Sequence, residues 1–131
     1  MKQPRFWQSV RHACSGVWYT IRTQRNARIH VIAGTLVLGL AVWLQLPWID
    51  TSILVLTIGA VLAGETINTT VEAIVDLLSP EWHERAKVAK DVSAAGVLIL
   101  SLTAIIVGML VLGPPLWEKV LSFSSVTAPT H

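Results

Sequence analysis

The run from Val92 to Leu112 contains no charged residue, and Ile29 to Ile49 is broken only by His30, Gln45 and Pro47. A third apolar run opens at Thr51 and continues to Ala63. About 20 apolar residues in helical form cross a hydrocarbon core of about 30 Å. Every backbone polar group must be satisfied within such a segment, which favours helix over isolated strand. Composition agrees: the 131 residues are 53% hydrophobic and 14% charged, against about 25% charged in ordinary globular chains. A single domain of this size cannot hide that much apolar surface from water. The expected fold is all-α and integral to a membrane, one domain over 1–131 with transmembrane helices at 29–49, 51–76 and 92–113. The segment 114–131, rich in Ser and Thr, is expected to be a frayed tail.

Residues 1–28 hold six of the ten basic residues, Lys2, Arg5, Arg11, Arg22, Arg25 and Arg28. Phe6, Val10, Cys14, Val17 and Ile21 recur among them at helical spacing, with Trp7, Trp18 and Tyr19 nearby. Pro4 suits a first helical turn. This pattern predicts an amphipathic helix over 5–28 lying in the membrane interface. Leu46-Pro47-Trp48-Ile49-Asp50 reads as a tight turn, with Trp48, like Trp117, an interfacial anchor. Gly59, Ala60, Ala63 and Gly64 have the spacing that lets helices approach closely. Ser79-Pro80-Glu81 reads as a helix start, with a hydroxyl cap, a proline and an early acid. With three spans, nine of the ten Lys and Arg fall on one side and only Lys119 opposite, so that side, with the N-terminus, is cytoplasmic. The N-terminus lacks the short apolar core and small-residue cleavage site of a signal peptide. The single Cys14 excludes an intrachain disulfide, no Cys/His spacing suggests zinc, and the net charge of +2 comes without a nucleic-acid type of basic block.

The second span ends in Gly64-Glu65-Thr66-Ile67-Asn68-Thr69-Thr70-Val71-Glu72-Ala73-Ile74-Val75-Asp76. At about 100° per residue, Glu65, Asn68, Glu72 and Asp76 share one stripe. Glu65 stands about 21 Å along a helix that starts at Thr51, near headgroup depth on the inner side. An ionisable group in a membrane span costs on the order of 3 kcal/mol and is a functional candidate by default. Phosphoryl transfer from a nucleotide to a lipid hydroxyl fits such a place. It needs a divalent cation, cations to orient phosphates, and an acceptor for the hydroxyl proton. Glu72 is a hard oxygen ligand of the type magnesium prefers. Lys90, Arg5 and His83 are available to phosphates. Desolvation works against the charged form of the deeper Glu65 and suits it to proton transfer, with Asn68 one turn away to orient a partner.

These residues also admit plainer readings. Glu65 and Asn68 could bond between helices, Glu72 and Asp76 could be solvated, and the charges at 81–91 could belong to a surface loop. His12, His30 and His83 read as packing or water-facing residues. No Walker A pattern or GxGxxG is present. A second class of function, a small non-enzymatic subunit or ion or proton conductor, therefore stands beside the kinase. A proton path wants ionisable groups at several depths; here they cluster at one interface.

The segments ETINTTVEAIVD at 65–76, HERAKVAKDVSAAGV at 83–97 and TQRNARIH at 23–30 resemble the small bacterial diacylglycerol kinase and undecaprenol kinase family, which is unrelated to soluble kinases. The resemblance covers roughly residues 5–113. It implies three transmembrane helices with an amphipathic N-terminal helix, a homotrimer with sites at subunit boundaries, and ATP and Mg2+ as phosphoryl donor and cofactor. It implies Glu65 as base, Glu72 as metal ligand, and Asn68, Lys90 and Asp91 as site residues, with Arg5, His12, Glu81 and His83 near the nucleotide. The family's third block usually reads T-E-R-N, where the glutamate is a second metal ligand. Here Thr23-Gln24-Arg25-Asn26 offers a carbonyl oxygen without the negative charge. The arginine-rich block is more similar to the undecaprenol kinase side. Diacylglycerol and undecaprenol both remain as acceptors.

Overall fold

The computed structural model describes residues 6–126, which form four helices: α1 (Phe6–Thr23), α2 (Arg25–Trp43), α3 (Trp48–Leu78) and α4 (Glu84–Val126). No strand occurs among the described residues. Helices α2, α3 and α4 are each long and apolar enough to cross a membrane. The all-helical architecture with three candidate spans is as expected, but its boundaries differ in four places. Arg5 and residues 127–131 lie outside the described residues.

The first difference is the break between α1 and α2. The expected helix over 5–28 stops at Thr23, and Gln24 is extended at φ −96°, ψ 123°. Gln24 N–H still closes the last turn of α1 on the Thr20 carbonyl at 2.8 Å. Its side chain makes no cap on α2 and instead reaches α3. Helix α2 then begins at Arg25, earlier than expected, and presents Ala27, Gly34 and Ala41 as its buried face. Gly34 is needed there: a Cβ at this position would stand 2.9 Å from Ile58 Cγ2 of α3.

The second difference is where α2 ends. Residues 44–47 form the connection, so the first span closes at Trp43 and Trp48 opens α3. The Leu46 N–H bonds the Ala41 carbonyl at 3.1 Å and the Gln45 N–H bonds Val42 at 3.0 Å. This is a Schellman closure, with the residue after the cap in the left-handed region. Gln45 occupies it at φ 55°. Leu46 packs on the apolar cluster of Ala41, Leu54 and Leu112, which joins the three long helices at this end. The Lys119 Nζ donates to the Trp43 carbonyl at 3.3 Å and lies 4.7 Å from the centre of the Trp43 ring.

At the opposite end, Ser79 is the C-cap of α3 rather than a helix start: its N–H bonds Val75 at 2.8 Å and its hydroxyl donates to the Glu81 carbonyl. Helix α4 starts at Glu84 with His83 Nδ1 accepting the Arg85 N–H at 3.2 Å. The fourth difference is that α4 continues through Pro114 and Pro115 to Val126, so the expected stop at 113 and tail from 114 are corrected. Two prolines remove two N–H donors, yet an apolar flank gives the backbone no partner outside the helix.

Helix α3 is the centre of the bundle, packed by α2 on one side and α4 on the other. Its 31 residues make a rod of about 46 Å, longer than a hydrocarbon core of about 30 Å. The surplus is its polar C-terminal third. Between α2 and α4 runs an apolar groove of about 620 Å³, lined by residues such as Val37, Leu40, Val61, Ile105 and Met109. Of the small residues on α3, Gly64 packs towards Leu100, while Gly59, Ala60 and Ala63 face outward.

A side chain in the left-handed region costs about 1–2 kcal/mol relative to glycine, partly offset by glycine's greater freedom when unfolded. Gln45→Gly is therefore expected to raise stability in detergent by about 0.5–1 kcal/mol, and Gln45→Val to lower it by about 1–2 kcal/mol. Denaturant midpoints of the two variants measure both.

Candidate active site

The polar stripe of α3 begins one turn past Val61, which is buried in the bundle. Glu65 follows at 2% exposure, the largest fully buried side chain among the described residues, then Asn68 and Thr69, both buried. Glu72 is half-buried and Asp76 is mostly exposed. The helical spacing thus grades the stripe from the bundle interior to the surface. Thr69 turns its hydroxyl back to the Glu65 carbonyl at 2.8 Å, satisfying it without leaving the helix.

Two polar centres lie along this stripe. In the outer one, Glu72 receives two amide donors: Gln24 Nε2 to Oε2 at 2.9 Å and Asn68 Nδ2 to Oε1 at 2.9 Å. Gln24 comes from the break between α1 and α2, which accounts for its extended backbone and its unused capping position. Gln24 and Glu72, 48 residues apart in the chain, are thus in direct contact. Seven residues separate Glu72 from Glu65, about 10 Å along the axis.

The inner centre is a cavity of about 250 Å³ between α2, α3 and α4, lined by Asn26, His30, Glu65, Asn68, Val97 and Ser101 among others. Glu65 Oε1 and Asn68 Oδ1 are buried there with no aligned hydrogen-bond donor. His30 Nε2 approaches Glu65 Oε1 to 3.2 Å without the alignment of a hydrogen bond. Asn68 therefore joins the two centres, its N–H on Glu72 and its side chain lining the cavity with Glu65. Buried acceptors without donors are rare in folded proteins and call for an explanation.

Lys90 Nζ pairs with Asp76 Oδ1, tying the start of α4 to the end of α3. His83 caps α4. His12, Glu81 and Asp91 are exposed, away from the buried part of the stripe; Arg5 is outside the described residues. His30 and Ser101 were not expected at the site. Both line the inner cavity and the apolar groove alike. The TQRNARIH block ends on His30, which was the available signal; Ser101 sits in an uncharged run with none.

No cluster of three His, Cys, Asp or Glu that could hold a metal occurs among the described residues. Magnesium often takes only one or two protein carboxylates and completes its shell with water and phosphate oxygens. Glu72 with the amide of Gln24 beside it fits that pattern.

Three helices long and apolar enough to cross a membrane surround a buried carboxylate and amide, with an apolar groove beside them, the architecture of a helical membrane protein. The family model for prokaryotic diacylglycerol kinase matches residues 11–112, and the chain belongs to this family of membrane lipid kinases. It is 43% identical over 114 residues to a diacylglycerol kinase of Synechocystis sp., covering 86% of this chain and 65% of the relative. It is 38% identical over 112 residues to the undecaprenol kinase of Bacillus subtilis, covering 86% and 91%. It is 30% identical over 100 residues to the diacylglycerol kinase of Escherichia coli K12, covering 76% of each.

The contact between Gln24 and Glu72 is measurable without a ligand. A hydrogen bond to a charged group contributes about 1.5–3 kcal/mol when buried, and less when half-exposed. A double-mutant cycle of Gln24→Ala and Glu72→Ala is expected to return a coupling of about 1 kcal/mol in detergent unfolding. Additive effects would show that the two side chains do not meet.

Proposed function

We propose that this protein transfers the γ-phosphoryl group of ATP to the hydroxyl of a membrane lipid alcohol, diacylglycerol or undecaprenol, at the cytoplasmic face of the bacterial inner membrane. One observation carries the reading: Glu65 and Asn68 line one cavity, and each holds a buried oxygen without an aligned donor, Glu65 Oε1 and Asn68 Oδ1. A hydroxyl group is a donor that such a pair receives, and the apolar groove beside it suits the tail of the same molecule. The names of the relatives supply both acceptors, and the arginine-rich 23–30 block leans towards the undecaprenol kinase.

In this reading the lipid hydroxyl donates to Glu65, with Asn68 fixing its direction. As the lipid oxygen bonds to the γ-phosphorus, the bond from that phosphorus to the bridging oxygen of ADP breaks, and Glu65 takes the hydroxyl proton. Glu72 and Gln24 would hold Mg2+, which supplies charge neutralisation on the phosphates. Either amide turned over presents its oxygen in place of its N–H. Lys90, placed by Asp76 at the cytoplasmic end of α3, and Asp91 beside it are assigned to the phosphoryl-transfer end. Arg5, His12, Glu81 and His83 are assigned to the nucleotide by resemblance.

The chain is read as one domain over 1–131. Helix α1 is assigned to the membrane interface, supported by exposed Trp7 and Trp18 among its arginines. The nine-to-one distribution of Lys and Arg supports a cytoplasmic N-terminus. A homotrimer is proposed from family resemblance. The outward Gly59, Ala60 and Ala63 suit close helix approach between subunits.

The test is transfer of labelled γ-phosphate from MgATP into a chloroform-soluble product, with diacylglycerol and undecaprenol offered side by side. Glu65→Gln is expected to lower turnover by about 10²–10⁴-fold with little change in the magnesium needed for half-maximal rate. Glu72→Gln is expected to raise that requirement, with partial rescue at high metal, and Gln24→Glu to lower it. Undiminished turnover in Glu65→Gln at saturating lipid would refute the base.

A further inference from the structure

His30 of α2 places Nε2 3.2 Å from Glu65 Oε1 and 3.5 Å from Ser101 Oγ of α4. Ser101 has one hydroxyl proton, and it is donated to the Val97 carbonyl at 2.8 Å. Towards His30, Ser101 therefore offers a lone pair. Glu65, as a carboxylate, also offers only acceptors. With Glu65 ionised, as a proton acceptor must be, a bare Nε2 would add a third lone pair beside two acceptors with no proton to share. This assigns the proton to Nε2 and makes the imidazole a donor 3.2 Å from the carboxylate.

We infer that His30 is a positioning residue for phosphoryl transfer, holding Glu65 through Nε2–H with Ser101 steering the ring. This rests on the reading of Glu65 as proton acceptor. Glu65 Oε1 has two lone pairs, one for His30 and one for the lipid hydroxyl. The contact is close but unaligned at rest, and catalytic hydrogen bonds commonly tighten only when the substrate is bound. His30 also lines both the apolar groove and the polar cavity. It therefore stands where an apolar tail gives way to its hydroxyl. Its donor lowers the penalty on a carboxylate in this dry place while the substrate proton is still on the lipid oxygen. No proton needs to leave His30 for that role.

A carboxylate left without its orienting partner samples unproductive rotamers, and misplacement by about 1 Å costs up to about 10²-fold in rate. His30→Leu is expected to lower kcat by about 10–100-fold with the KM for MgATP unchanged. His30→Gln, whose amide N–H reaches to a similar distance, is expected to recover most of the lost rate. On a Glu65→Gln background, His30→Leu should cost little more, because residues acting as a unit are not additive. In the intact wild-type protein, the ¹⁵N spectrum of His30 should show a protonated Nε2. Equal losses in His30→Leu and His30→Gln, losses that multiply with Glu65→Gln, or a bare Nε2 would each overturn the inference. Full activity in His30→Leu beside an inactive Glu65→Gln would remove His30 alone and leave the base in place. Full activity in Glu65→Gln would remove the base and the inference with it.

Discussion

Burying Glu65 inside three apolar helices is the constraint on which the rest of the site depends. An ionisable side chain at such a depth costs on the order of 3 kcal/mol or more, and little in the bundle offsets it. Its Oε1 has no aligned donor, and the His30 imidazole approaches it from another helix. The central position of α3 makes this possible. Only a helix flanked on both sides, by α2 and by α4, can bring a carboxylate to 2% exposure in a chain whose outer faces are largely lipid-facing side chains. At rest the carboxylate has only the close, unaligned imidazole of His30; in the proposed function, the lipid hydroxyl supplies the further donor.

The outer centre has the opposite character. Both oxygens of Glu72 are engaged by amide N–H groups, so the carboxylate is oriented before any ligand arrives. Gln24 reaches it only because the chain stops being helical for one residue between α1 and α2. The family's usual glutamate at this point would put two carboxylates together. The glutamine here replaces that repulsion with a hydrogen bond, giving a site that is better ordered alone and less negative towards a cation. The two centres share Asn68, which bonds Glu72 in one and lines the cavity of the other.

Much of this was legible because membranes impose simple rules. Uncharged length marked the three spans, and the 3.6-residue period placed Glu65, Asn68 and Glu72 on one face. Other features carried no local signal. The break at Gln24 has no glycine or proline to announce it; a tertiary contact with Glu72 accompanies it. The turn at Gln45 lacks the glycine that its backbone favours, which hid the end of α2. Pro114 and Pro115 suggested a stop that an apolar surrounding does not enforce. His30 looked like an isolated polar residue in a span, since its meaning lies in Glu65, on another helix. Ser101 could not be singled out in an uncharged run.

The most direct measurement of the central claim is where the lipid hydroxyl sits. A long-chain alcohol carrying a diazirine on the carbon next to its hydroxyl, photolysed with the intact protein in bilayers, labels whatever surrounds that group. Labelling is predicted at the residues lining the inner cavity, Asn68, Val97 and Leu98 foremost, and should be displaced by excess unlabelled substrate lipid. Displaceable labelling confined to the opposite end of the bundle, around Pro47 to Asp50, would contradict the account.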